Sequence, residues 1–140
     1  MSDSRTDLPA PNLLKLISVR ADANVITLSM KTSATTAPCP VCGKRSKRVH
    51  SRYTRTLADL PWQGVPVTVR LRVRRFFCDQ RTCNRAIFAE RLPGVAAHYA
   101  RRTERLESWV THISFALGGE AGSRLLKDLG VVVCGATLLN

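Results

Sequence analysis

Residues 65–83 read Val65-Pro66-Val67-Thr68-Val69-Arg70-Leu71-Arg72-Val73-Arg74-Arg75-Phe76-Phe77-Cys78-Asp79-Gln80-Arg81-Thr82-Cys83. The first thirteen residues alternate. Val67, Val69, Leu71 and Val73 fall on one face of an extended chain, and Thr68, Arg70, Arg72 and Arg74 on the other, so 65–77 is predicted to be a strand. Its polar face carries a guanidinium about every 6.6–6.8 Å, twice the strand rise. Cations of one sign with no acid between them repel one another, which favours a surface for phosphates over a merely solvated sheet face. The strand runs straight into a cysteine pair.

That pair, Cys78-x4-Cys83, answers an earlier one, Cys39-x-x-Cys42. Two loops each offering two thiolates supply the four donors, at about 2.3 Å, that a tetrahedral zinc ion takes. All four positions are filled by sulfur, so the expected ion is a single structural Zn2+ with no open site for water. A disulfide pair is the alternative, disfavoured because nothing reads as an export signal. A redox dithiol at Cys39 and Cys42 lacks the strand–helix context such motifs need. His50 is a competing ligand in principle, although a strand residue near phosphate or core fits it better. Cys134 reads as a small buried residue, and His98 and His112 have no partners that the sequence identifies.

The 140-residue chain has a formal charge of +12. Between the cysteine pairs stand Lys44, Arg45, Lys47, Arg48, Arg52, Arg55, Arg70, Arg72, Arg74 and Arg75 against a single acid, Asp59. Such a surplus points to a polyanionic partner, with a generally basic, ribosomal-type protein as the plainer alternative. No run of about 18 apolar residues is present, so no membrane span is expected. A reducing cytoplasm follows as the expected compartment, where paired cysteines favour metal.

Composition divides the chain into a polar, disordered 1–12, a zinc-binding β domain at 13–94 and a helical segment at 95–140. Residues 13–20 and 24–31 are predicted to form a hairpin about the Ala21-Asp22-Ala23-Asn24 break. Residues 32–38 form a loop, Ser46 to Thr56 an extended segment, and Pro61 with Gly64 the turn before the next strand. Thr103 is a candidate N-cap for a helix carrying Leu106, Trp109, Val110, Ile113 and Leu117 and ending at Gly118-Gly119. A second helix runs from about Glu120 to Gly130, and a third opens near Thr137. The fold class is therefore α+β: a small zinc-ribbon-like antiparallel β domain followed by a helix–turn–helix, with an ordinary helical hairpin as the alternative. In a helix–turn–helix the third helix would enter the major groove, where Thr137 and Asn140 can bond base edges.

The run Cys39-Pro40-Val41-Cys42-Gly43, then Arg48-Val49-His50-Ser51-Arg52-Tyr53, Arg74-Arg75-Phe76-Phe77-Cys78, Cys83 and Ile87-Phe88-Ala89-Glu90 resembles the N-terminal zinc domain of ISL-three-type bacterial insertion-sequence transposases. Tyr99-Ala100-Arg101-Arg102-Thr103 and the stretch from Leu117 to Leu139 are similar to the helix–turn–helix that follows in that family. The resemblance implies recognition of double-stranded DNA at the terminal inverted repeats of a mobile element, in the nucleoid. It also implies a downstream RNase H-like domain with an acidic catalytic triad, which lies beyond this sequence. Asp59, Asp79, Glu90 and Asp128 form no pattern suited to two-metal chemistry. The expectation is a truncated transposase that binds DNA without catalysing, as a homodimer or beside a full-length transposase. A fragment acting only with that transposase, and a basic zinc ribbon for RNA or protein, are the other readings.

Overall fold

The computed structural model describes residues 12–132. Thr137, Asn140, Cys134 and the expected third helix lie outside them. Within the described residues are seven strands, β1 (Leu14–Ala21), β2 (Ile26–Thr32), β3 (Ala37–Pro38), β4 (Arg45–Ser46), β5 (Val49–Trp62), β6 (Val65–Phe77) and β7 (Ile87–Ala89), then α1 (Glu104–Leu117) and α2 (Gly119–Leu129).

The β1–β2 hairpin forms as the sequence predicts. Asp22 makes the turn by accepting the backbone N–H groups of Asn24 and Val25 at 2.8 and 2.9 Å on its Oδ1. The β5–β6 hairpin closes through Gln63 and Gly64, both at positive φ (49° and 82°), the twist that a two-residue hairpin loop needs. The main sheet runs β1-β2-β6-β5, with β7 pairing the far end of β6. All its ladders are antiparallel except one: β2 runs parallel to β6, Ile26 opposite Val67 and Lys31 opposite Arg72. The parallel pair arises because the intervening chain first builds the β3–β4 hairpin and then returns along β5.

The alternation along β6 gives the sheet two different faces. Val67, Val69, Leu71 and Val73 are buried together with Leu28, Met30 and Leu57, and Leu92, Val95 and Ala96 cover them. On the opposite face Arg70 and Arg72 are exposed, but two residues past Arg74 the same face carries Phe76, which is fully buried. Phe76 stacks on Phe88 of β7 and packs with Ala37, Cys39 and Val49. The cysteine-bearing loops therefore sit on the basic side of the sheet, at its end.

The helices form a third cluster through Leu106, Val110, Leu126 and Val131, with Leu60 of β5 beneath them. Thr103 is the N-cap: its hydroxyl accepts from the Leu106 N–H at 3.4 Å and donates to Asp59 at 2.7 Å. Of the helical apolar positions read from the sequence, Trp109 and Leu117 remain substantially exposed. Gly130, at φ 97°, ends α2 in a left-handed cap from which its N–H and that of Val131 return to the last turn.

Candidate metal centre and basic sheet face

Cys39 and Cys42 flank the Pro40-Val41 turn between β3 and β4, and Cys78 and Cys83 flank the loop after β6. All four sulfurs lie within 4.8 Å of one another. The cross-loop pairs Cys39–Cys83 and Cys42–Cys78 stand 3.9 and 3.6 Å apart. Sulfurs arranged tetrahedrally at about 2.3 Å from one zinc ion are about 3.8 Å apart, whereas a disulfide needs about 2.05 Å. The residues fit a zinc ion and not a disulfide.

The backbone supports that assignment. Gly43, at φ 75°, donates its N–H to the Cys39 carbonyl at 2.9 Å, and the Cys39 N–H reaches Lys44 O at 3.0 Å. The Arg85 N–H lies 3.4 Å from the Cys83 sulfur. Such N–H groups aimed at sulfur stabilise thiolate and orient it toward a cation. Burial opposes ionisation of Cys39, yet N–H donors from Cys42 and Val41 outweigh it and bring its pKa down to about 7. At Cys78 the Gln80 N–H favours the thiolate, but burial and the neighbouring cysteines prevail and push it up to about 12. Cys83 is raised too, against its Arg85 N–H, by burial and the adjacent Cys42. Thiols this close cannot all ionise unless a cation compensates them. With Zn2+ bound, the four sulfurs would tie the two loops together over Phe76 and Phe88.

The basic residues divide by strand register. Lys15 faces Lys31 across β1–β2, Lys31 faces Arg72 across β2–β6, and Arg72 faces Thr54 across β6–β5. Arg70 lies in the next row, between Ser29 and Thr56. Arg52, opposite Arg74, completes the patch. Lys15, Lys31, Arg52 and Arg72 line a groove of about 360 Å³ whose wall is the 32–35 loop leading to the metal centre. Lys15 and Lys31 were not singled out in the sequence. The signal for Lys31 was there: Ile26, Leu28 and Met30 alternate with Thr27, Ser29 and Lys31.

Other arginines have partners within the chain. Arg74 is folded into the seam between sheet and metal loops, donating to Glu90, to Thr32 Oγ1 at 2.8 Å and to Ala34 O at 2.7 Å. Arg55 faces Leu71 on the opposite side of the sheet and donates to the carbonyls of Ala97 and Ala100 at 3.0 and 2.7 Å. Arg75 stacks over Tyr53, 4.2 Å from its ring centre, also away from the groove. Arg48 pairs with Asp79 and Arg45 with Thr36 Oγ1, while Lys44 and Lys47 are exposed on the metal loops. His50 sits in a β-bulge with its ring edge against Phe77, outside the sulfur cluster.

No helix among the described residues is long and apolar enough to cross a membrane. No curated protein and no solved structure matches the chain. A family model does match residues 35–83, and its description is zinc-finger of transposase IS204/IS1001/IS1096/IS1165. The matched span contains all four sulfur ligands and the arginine strand between them. Residues 35–83 thus match the zinc-ribbon domain of ISL3-type transposases, with the four cysteines placed to hold one metal ion.

Proposed function

We propose that the chain is a zinc-dependent DNA-binding portion of a transposase, which lays its basic sheet face along a duplex backbone at the ends of a mobile element. The observation that carries this reading is the row Lys15–Lys31–Arg72. Like charges directly opposite one another destabilise a sheet, and no carboxylate pairs with them among the described residues. An anionic polymer relieves that repulsion and releases its own counterions in exchange. The hydroxyls of Ser29, Thr54 and Thr56, on the same face, suit further bonds to phosphate oxygens. Zinc bound at Cys39 and Cys42 would anchor the chain just after the 32–35 loop that walls the groove.

Base readout would come from the segment after Gly130, where Thr137 and Asn140 are the candidate readers in a helix–turn–helix. The role is binding without catalysis. Asp59, Asp79 and Glu90 are each engaged by an arginine rather than gathered for divalent metal. A homodimer or a full-length transposase is the partner this role calls for.

The test is fluorescence anisotropy of the zinc-loaded chain with a transposon-end duplex, competed by a scrambled duplex and by structured RNA. Stronger competition by end duplex than by RNA is the expected result. Preference for RNA would assign the basic face to a different polymer and overturn the reading.

A further inference from the structure

On the side of the sheet away from the basic groove, the 92–100 segment presents an arrangement that duplex binding leaves unused. Ala97 to Ala100 form a tight turn, closed by the Ala100 N–H on Ala97 O at 3.1 Å. Tyr99 occupies its third position at φ 65°, a conformation that side chains with a Cβ rarely adopt and that normally selects glycine. Its side chain gains no burial in return, being 86 % exposed. Arg55 fixes this turn by donating to both of its end carbonyls. The fold thus holds a large aromatic ring out in solvent at a strained position, the kind of outlier that clusters at functional sites.

The surroundings indicate what the ring meets. His98 lies against it, ring centres 3.7 Å apart. Burial, with Arg91, Arg55 and Arg85 nearby, holds the His98 imidazole below its ordinary pKa, so it is a neutral aromatic surface at pH 7. His98, Arg91 and Glu104 border one cleft of about 280 Å³, at the small end of ligand-sized cavities; Tyr99 does not line it and adjoins it only through its ring contact with His98. Arg91 Nη1 is buried with no hydrogen-bond partner, and so is Nε of neighbouring Arg85. Buried donors of this kind ordinarily have an acceptor. The Glu104 carboxylate on the same wall disfavours a bare phosphate or an acidic peptide. A nucleobase, neutral and flat with acceptors and donors on its edge, suits the whole set.

We infer that Tyr99 and His98 form a stacking platform for a single unpaired nucleobase, whose edge is met by Arg91 and Glu104. The inference rests on the DNA-binding reading and adds to it: the chain would take up a base from a strand that leaves the duplex. Glu90, bonded to Arg74 beside the groove, directly precedes Arg91, which borders the cleft, so the chain links the two sites through consecutive residues. Aromatic stacking tolerates any base, so the platform would detect an unpaired end without reading its sequence.

The zinc-loaded chain is titrated with a blunt duplex, with the same duplex carrying a short overhang containing 2-aminopurine, and with the 2-aminopurine strand alone. The overhang duplex is expected to bind roughly 5- to 100-fold more tightly than the blunt one, with quenching of the 2-aminopurine. Tyr99→Phe keeps both effects. Tyr99→Gly relieves the strained φ, so the protein folds with equal or higher stability, while the overhang preference and the quenching disappear. Equal affinity for blunt and overhang duplexes, or quenching that survives Tyr99→Gly, overturns the inference. Failure to bind the blunt duplex defeats the sheet-face reading instead, and quenching of the single strand by wild type but not by Tyr99→Gly still decides the platform.

Discussion

Lys31 lies directly opposite Arg72 across the one parallel ladder of the sheet, and the other side of Lys31 faces Lys15. This row exists only because β2 joins β6 in parallel register, which brings a lysine from the first hairpin beside an arginine about forty residues later. On the proposed reading, a face built this way favours an anionic ligand at the expense of the free protein. Lys31→Glu would turn the row into plus–minus–plus. It is expected to stabilise the free chain by about 0.2–1 kcal/mol in urea denaturation while weakening duplex binding. A variant losing both stability and affinity would mean that Lys31 is structural.

Asp59 anchors the helices to the sheet. Its carboxylate is fully buried and accepts from Arg105 Nε at 2.8 Å, Arg105 Nη2 at 2.6 Å and the Thr103 hydroxyl at 2.7 Å. Asp59→Ala leaves a partly buried guanidinium and the N-cap hydroxyl without this acceptor. The expected cost is about 2–4 kcal/mol, below the full loss of a buried pair because Arg105 still reaches water. Urea denaturation gives the magnitude. Hydrogen exchange should show protection falling first in the opening turns of α1.

Gly130 meets the tip of the β5–β6 hairpin. A Cβ placed there would sit 2.6 Å from the Gly64 carbonyl oxygen and 2.8 Å from its carbon, both backbone atoms. Gly130→Ala therefore combines a clash with a left-handed φ, and the expected loss exceeds the ~1 kcal/mol that the φ alone would cost. Gly130→Asn, which tolerates the left-handed region better, is expected to give no rescue because its Cβ meets the same atoms. Thermal denaturation of both variants checks this.

Metal analysis of the purified chain is expected to give one zinc per molecule, and Cys78→Ser to lose most of it. The core beneath the sheet, around Leu28, Val69 and Leu71, is separate from the Phe76–Phe88 cluster under the metal. Chelation should accordingly remove amide protection from the 35–48 and 76–90 segments before the rest. Uniform protection after chelation would mean that the loops do not need the ion.

Much of this was legible in the chain because it is local. The alternation of 65–77, the two cysteine spacings, the Asp22 turn, the Thr103 cap and the glycines ending both helices each lie within one short window. What was hidden depends on distant pairing. Arg70, Arg72 and Arg74 look equivalent on one strand face, yet Arg74 is claimed by Glu90 from β7's far end while its neighbours remain open. Arg55 resembles any other strand arginine until the 97–100 turn is seen above it. Phe76 belongs to the same face as the arginines and is buried only because the metal loops fold over it. The parallel β2–β6 ladder, and with it the place of Lys15 and Lys31, follows from the chain's return through the zinc ribbon, which no single window contains.

The most direct test is the salt dependence of duplex affinity for the zinc-loaded chain, beside a variant with Lys15, Lys31, Arg70 and Arg72 all replaced by alanine. Each lost phosphate contact should lower the slope of log K against log salt by about 0.9, so the variant is expected to be shallower by roughly 3–4 and to bind far more weakly at low salt. An unchanged slope and affinity in that variant, with wild type binding duplex, would contradict the sheet face as the site where DNA is held.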